Sequence, residues 1–191
     1  MKKFLITLII ILIPVKSFSL IEVDITRGNL NPLPIAVSPL SIDEESRKNF
    51  ENILKKKNIG SEISSIVENN LKVSGLFNPL NKDAFLQEPD IANLKPRFED
   101  WNLIKAQALI TGKVSYVEEK LRVEFRLWDV LAGKEMMALA FTTVPNNWRR
   151  VGHIITDKVY ERLTGEKGYF DTRIIYVAEN GPKTQRVKKL A

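Results

Sequence analysis

Apolar and polar positions along this chain repeat with two periods, and the places where one period gives way to the other divide it into elements. Ile21-Glu22-Val23-Asp24-Ile25 alternates apolar and acidic residues and closes on Arg27-Gly28-Asn29, the pattern of a short strand with one wet face. Asn31-Pro32-Leu33-Pro34 reads as a rigid linker, and Pro34 to Leu40 as a buried strand whose length its bracketing prolines limit. Ser41 to Gly60 is charged and polar, with Phe50, Ile53 and Leu54 as its few apolar residues, and reads as an insertion holding at most one short helix. From Ser61, placed as N-cap, Ile63, Ile66, Val67 and Leu71 recur at helical spacing until Gly75 stops them. Leu76 to Leu80 is a short extended segment, and a loop rich in Asn, Asp and Pro runs on to about Pro96. A second helix is predicted from Pro96 to Ala106, with Phe98, Trp101 and Leu103 or Ile104 turned inward.

Three strands then follow in close order, Ala108 to Val117, Leu121 to Val130 and Glu135 to Val144. The middle one sets Leu121, Val123, Phe125 and Leu127 against Arg122, Glu124 and Arg126, so one of its faces is wet. The connections 118–120 and 131–134 are of hairpin length, which makes the three an antiparallel meander. A last helix from Asn147 to Leu163 places Trp148, Val151, Ile155, Val159 and Leu163 on one face and ends at Gly165. The expected fold class is α+β, a mixed sheet containing the meander with two or three helices packed on one face. After Gly168, Arg173-Ile174-Ile175-Tyr176-Val177 is β-branched and aromatic and reads as the start of something new. The stretch from Trp148 to Val177 is therefore a junction between modules.

Composition changes the picture at the amino terminus. Lys2 and Lys3 precede an apolar block from Phe4 to Ile13, followed by Pro14 and Ser17-Phe18-Ser19, which is the layout of a secretory signal peptide over residues 1–19. The block is too short to span a bilayer, which takes about twenty apolar residues, so no membrane insertion is expected once the signal is removed; a retained membrane anchor is the lesser alternative. Losing Lys2, Lys3 and Lys16 brings the formal charge of +6 down to about +3, so the basic balance is partly an export feature. Lys55-Lys56-Lys57 and the tail residues Lys183, Arg186, Lys188 and Lys189 lack interleaved aromatic residues, which argues against nucleic acid as a partner. With no cysteine there is no lipid attachment, disulfide or thiolate metal site, and the core alone must hold the fold.

The inventory for chemistry is thin. His153 is the one histidine, on the last helix among apolar neighbours, and a zinc site would need a second one. There is no glycine-rich phosphate loop and no serine flanked by glycines, so neither cofactor nor catalytic residue is expected. Trp101 and Trp148 read as core. Arg149 and Arg150 read as long wet side chains at a helix N-terminus, and because the helix dipole disfavours cations there, partners for them are the second reading.

Trp148-Arg149, Gly152-His153, the block Leu163 to Phe170 and the block Thr172 to Val177 resemble, in this order, the end of the amino-terminal domain in the TolB family, the periplasmic component of the Tol-Pal system. Pro34-Ile35-Ala36-Val37 with Pro39, Ser74-Gly75-Leu76-Phe77 with Pro79, and Ile110 to Val114 resemble it too. The resemblance implies a domain over residues 34–168, an interdomain hinge at Gly165, Glu166, Lys167 and Gly168, and over 169–191 the start of a six-bladed β-propeller that this sequence truncates. It also implies a non-enzymatic scaffold linking inner-membrane TolA to the outer-membrane lipoprotein Pal, supporting membrane invagination during cell division and envelope integrity. The TolA-facing segment would be Leu20, Ile21, Glu22, Val23, Asp24, Ile25, Thr26, Arg27 and Gly28, within a mature terminal stretch 20–33. The Pal-facing surface would lie on the propeller. The segment Ser41 to Gly60 departs from the family pattern. Two readings of other classes remain beside this one: a periplasmic domain binding a nucleotide or glycan in a cleft lined by Trp148, Arg149 and Trp101, and a small hydrolase using His153.

Overall fold

The computed structural model describes residues 31–172, 175–182 and 185–190. The expected leader and the strand at Ile21 to Ile25 lie outside these residues. In chain order the elements are β1 (Leu33–Val37), β2 (Ser41–Ile42), α1 (Glu44–Leu54), α2 (Ile59–Val73), β3 (Phe77–Pro79), α3 (Pro89–Leu94), α4 (Phe98–Leu103), β4 (Ala108–Val117), β5 (Lys120–Asp129), β6 (Lys134–Thr143), α5 (Trp148–Thr164), β7 (Val177–Asn180) and β8 (Val187–Leu190). The fold is α+β, with a mixed six-stranded sheet in the order β3-β1-β4-β5-β6. Strands β3, β1 and β4 run parallel, and β4, β5 and β6 form the antiparallel meander.

β1 and β2 lie one after the other along the same edge of β4, pairing with 108–110 and 113–114 respectively. Pro39 breaks the ladder between them because it has no N–H to give. The side chain of Ser64 on α2 repairs the gap: its Oγ accepts from Leu40 N–H at 2.9 Å and lies 3.0 Å from the Ser38 carbonyl. A serine on a helix thus completes a strand.

The pleat sends alternate residues to opposite faces. Ile35, Val37, Ile110, Phe125 and Leu127 point to one face, where they pack with Phe50 of α1, Ile63 and Val67 of α2 and Ile155 and Val159 of α5. Ala36 and Leu109 point the other way and meet Ala92 of α3, Trp101 of α4 and Val130. Three helices therefore share one face, but the expected packing on a single face does not hold, because two short helices cover part of the other. The predicted second helix is one of these: Trp101 is 1% exposed, Leu103 is exposed, and the buried indole donates from Nε1 to Gln87 Oε1 at 2.9 Å.

Ser41 to Gly60, read as an insertion, is built into the sheet and the core. It holds β2, the eleven-residue α1 and the first two residues of α2, and Phe50 is fully buried with its ring edge-on to Tyr116. One aromatic side chain is enough to anchor a short helix, because burying it contributes about 1.5–3 kcal/mol. Asp43 caps α1 by accepting from Ser46 N–H at 2.8 Å. The cap of α2 is Asn58 rather than Ser61, whose own N–H is the group that Asn58 accepts. α3 falls within the stretch that the sequence predicts as loop, since its Pro89 marks a helix start only when apolar residues on one side have somewhere to pack.

The predicted strand ending at Val177 is also placed differently. Ile175 and Tyr176 lie outside any strand, and Val177 opens β7, which pairs antiparallel with β8 in a separate two-stranded sheet. A propeller blade has four strands, and the described residues form none.

Candidate functional site

Two parts of α5 carry the features that sequence reasoning singled out. Its first turn, Trp148-Arg149-Arg150, begins after a 3-10 turn at Pro145–Asn147 and has no side-chain cap. α5 and α2 pack side by side, and Gly152 makes their approach possible: a Cβ there would lie 2.9 Å from Ile66 Cγ2. Where the two helices begin, Lys57, Ser61, Asn69, Arg149 and His153 line an open groove of about 630 Å³.

Trp148 floors this groove but offers little to a ligand. It is 4% exposed, with the Arg149 guanidinium 4.3 Å and the Lys56 ammonium 5.2 Å from its ring centroid. A cation over an indole is attracted to the ring's electron density, which accounts for Arg149 against the dipole. Arg150 finds its partner further along the chain. Its Nε and Nη2 donate to the Asp171 carboxylate at 3.0–3.1 Å, and this pairing raises the guanidinium pKa. Trp101 packs on the opposite face of the sheet, so Trp148, Arg149 and Trp101 do not line one cleft.

His153 is half-buried, with Nδ1 2.9 Å from Asn70 Nδ2, and the same amide donates to Thr156 Oγ1 at 3.1 Å. Asn70 donates here, so Nδ1 is the acceptor and the ring acts as a bridge between α2 and α5. Among the described residues no serine, threonine or carboxylate hydrogen-bonds to this histidine, as a hydrolase triad would require. Nor do they contain a cluster of three potential metal ligands, or a helix long and apolar enough to cross a membrane.

The exit of α5 is built more tightly than its entrance. Gly165 takes a left-handed conformation, φ +76°, and its N–H closes the helix on the Glu161 carbonyl. Glu166 N–H then donates to Thr164 Oγ1 at 3.1 Å. Phe170 and Asp171 donate their backbone N–H groups to Asp157 Oδ1 and Oδ2, at 2.7 and 3.1 Å. One carboxylate thus holds two successive amides of the chain leaving the helix. Gly168 is required beneath it, because any Cβ would collide with Asp157. Tyr169 and Phe170 stack at 4.5 Å and both meet Tyr160 edge-on. Burial and these neighbours, Tyr169 and Glu166, push the Tyr160 phenol pKa up.

Gly165 to Gly168, expected as an interdomain hinge, lies between the cap of α5 and the two amides that Asp157 accepts. Asp157 was not singled out from the sequence, since a lone aspartate at a wet helical position carries no signal of what folds back over it. The segment Leu20 to Gly28 lies outside the described residues.

The profile of the TolB amino-terminal domain family matches residues 21–136. Over 184 residues, 96% of this chain, the sequence is 82% identical to the Tol-Pal system protein TolB of Pelagibacter ubique (strain HTCC1062). It spans 41% of that protein's length. The fold is similar to the crystal structure of TolB from Acinetobacter baumannii, with a TM-score of 0.66 and 22% identity, over 90% of this chain and 39% of that one.

Proposed function

The chain belongs to the TolB amino-terminal domain family, and from that premise we propose that it acts in the periplasm as a non-enzymatic scaffold of the Tol-Pal envelope system. In this reading the segment Leu20 to Gly28 binds a TolA-like inner-membrane protein, and a Pal-like outer-membrane lipoprotein is held by a propeller following the domain. The coupling supports outer-membrane invagination during division and the integrity of the envelope. The observation that carries the reading is 82% identity to a Tol-Pal system protein over nearly the whole chain. Ile21, Val23 and Ile25 alternate with acidic residues, which suits addition of a strand to a partner's sheet edge: backbone bonds give affinity and alternate side chains give specificity. The clamped exit of α5 suits the same role, because a scaffold must hand a defined orientation to whatever follows it.

The test is a pull-down on the periplasmic part of a TolA-like partner with the mature chain, intact and lacking residues 20–29. Deletion is expected to abolish capture while leaving the melting temperature within a few degrees, and undiminished capture would overturn the assignment of that segment. The 191-residue chain is also expected not to bind a Pal-like lipoprotein, so micromolar binding by calorimetry would refute the division of labour.

A further inference from the structure

We propose that Asn180-Gly181, where the β7–β8 hairpin turns, is a site of spontaneous deamidation at which the protein's own backbone is the nucleophile. Four observations converge on it. It is the one asparagine of the sequence followed by glycine; every other asparagine precedes a residue whose side chain hinders approach to the following nitrogen. Both residues are exposed to water. The Gly181 nitrogen is already held against the Asn180 carboxamide, donating to Oδ1 at 2.8 Å. Finally, Gly181 takes φ +105° at the end of a two-stranded sheet that pairs with no other strand among the described residues, and a two-stranded hairpin without further partners is marginally stable.

The reaction needs only water. Hydroxide removes the Gly181 amide proton, and the nitrogen forms a bond to Asn180 Cγ. The Cγ–Nδ2 bond breaks, and ammonia leaves after taking a proton from water, which closes a succinimide ring. Water then opens the ring at either carbonyl. One opening gives aspartate at position 180 with the main chain unaltered. The other gives isoaspartate, in which the main chain runs through Cβ and gains a methylene. One water is consumed and one ammonia released, with no change of oxidation state.

The two products differ in consequence. Aspartate adds a negative charge beside Glu179, which already pairs with Arg186 and Lys188. Isoaspartate lengthens the backbone at Asn180, whose ladder partner is Val187, and so shifts the last pair of the hairpin out of register. Of the other asparagines, Asn58 and Asn81 are occupied as helix caps, and Asn70 bridges two helices.

The 191-residue chain is aged at mildly alkaline pH and mapped with trypsin, which releases peptide 174–183 with Asn180 as its only asparagine. The amide form of this peptide is expected to disappear before that of any other asparagine-containing peptide, at a rate rising with hydroxide concentration. Two products of equal mass should replace it, one of them a substrate for isoaspartyl methyltransferase. Asn180→Gln, which would require a larger ring, should abolish both products. Gly181→Ala is not a clean control, because its Cβ would lie 2.7 Å from the Gln185 carbonyl oxygen. Retention of the Asn180 amide after other asparagines have reacted, or formation of aspartate without isoaspartate, would overturn the proposal.

Discussion

Asp157→Ala tests whether the exit of α5 is held by one carboxylate. The substitution removes the acceptors of Phe170 N–H at 2.7 Å and Asp171 N–H at 3.1 Å and leaves helix propensity essentially intact or improved. Hydrogen bonds to charged groups contribute about 1.5–3 kcal/mol each when well shielded. Both of these are only partly buried, so about 1 kcal/mol each, or about 2 kcal/mol for the pair, is the better figure. The loss falls on local opening rather than on global unfolding, because the core beneath α5 is untouched. Native-state amide exchange should show Phe170 and Asp171 exchanging roughly 30-fold faster, the factor that about 2 kcal/mol represents. Val123 and Phe125, at the centre of the sheet, should exchange as before. Asp157→Asn keeps one carbonyl acceptor and should lose about half the protection energy. Unchanged exchange at Phe170 and Asp171 in the alanine variant would show that the aromatic contacts of Tyr160, Tyr169 and Phe170 hold the segment instead.

Three further expectations rest on single contacts. Gln87→Leu strands the Trp101 Nε1–H inside the smaller core and leaves Arg97 N–H without its acceptor, which should cost about 1–3 kcal/mol in urea denaturation with an unchanged m-value; a change under 0.5 kcal/mol would mean that water takes over. Gly112→Ala drives a Cβ into the Glu124 carbonyl oxygen across the β4–β5 ladder, and the melting curve should show a loss of about 3 kcal/mol or an unfolded protein, whereas a native-like melt would refute the close approach. Asp43 has its pKa lowered chiefly by the Ser46 N–H it accepts, so its contribution is complete above the ordinary carboxylate range and is lost as pH falls through that range toward the lower folded-state value. Asp43→Ala should accordingly cost about 1 kcal/mol near neutral pH and nothing at strongly acid pH, as followed by thermal melts across the titration.

The meander and the last helix were legible because one local rule generates each of them. β5 alternates with period two and α5 repeats every three to four residues, so burial of Val123, Phe125, Ile155 and Val159 follows from spacing alone. Gly75 and Gly165 announce their helix ends because φ of +75° and +76° favours glycine. The family block from Leu163 to Phe170 was legible as a motif, although its geometry was not.

Other features depend on residues far apart in the chain, and no local pattern encodes them. The place of α1 in the core was not legible because Phe50, Ile53 and Leu54 are few among charged residues; the pocket of Phe50 is made by other elements, including Tyr116, sixty-six positions away. Trp101 was correctly placed in a core, yet only the sheet's pleat, which separates Ala36 and Leu109 from Ile35 and Ile110, assigns it to the opposite face from Trp148. Asp157 clamps amides thirteen and fourteen residues later, and that choice is made when the chain turns back over α5. Periodicity thus determined the meander, α2 and α5 and which of their faces are apolar, since those properties reside in neighbours along the chain. The tertiary structure decided which face meets which, and which polar groups find each other, because those depend on the return path of the backbone.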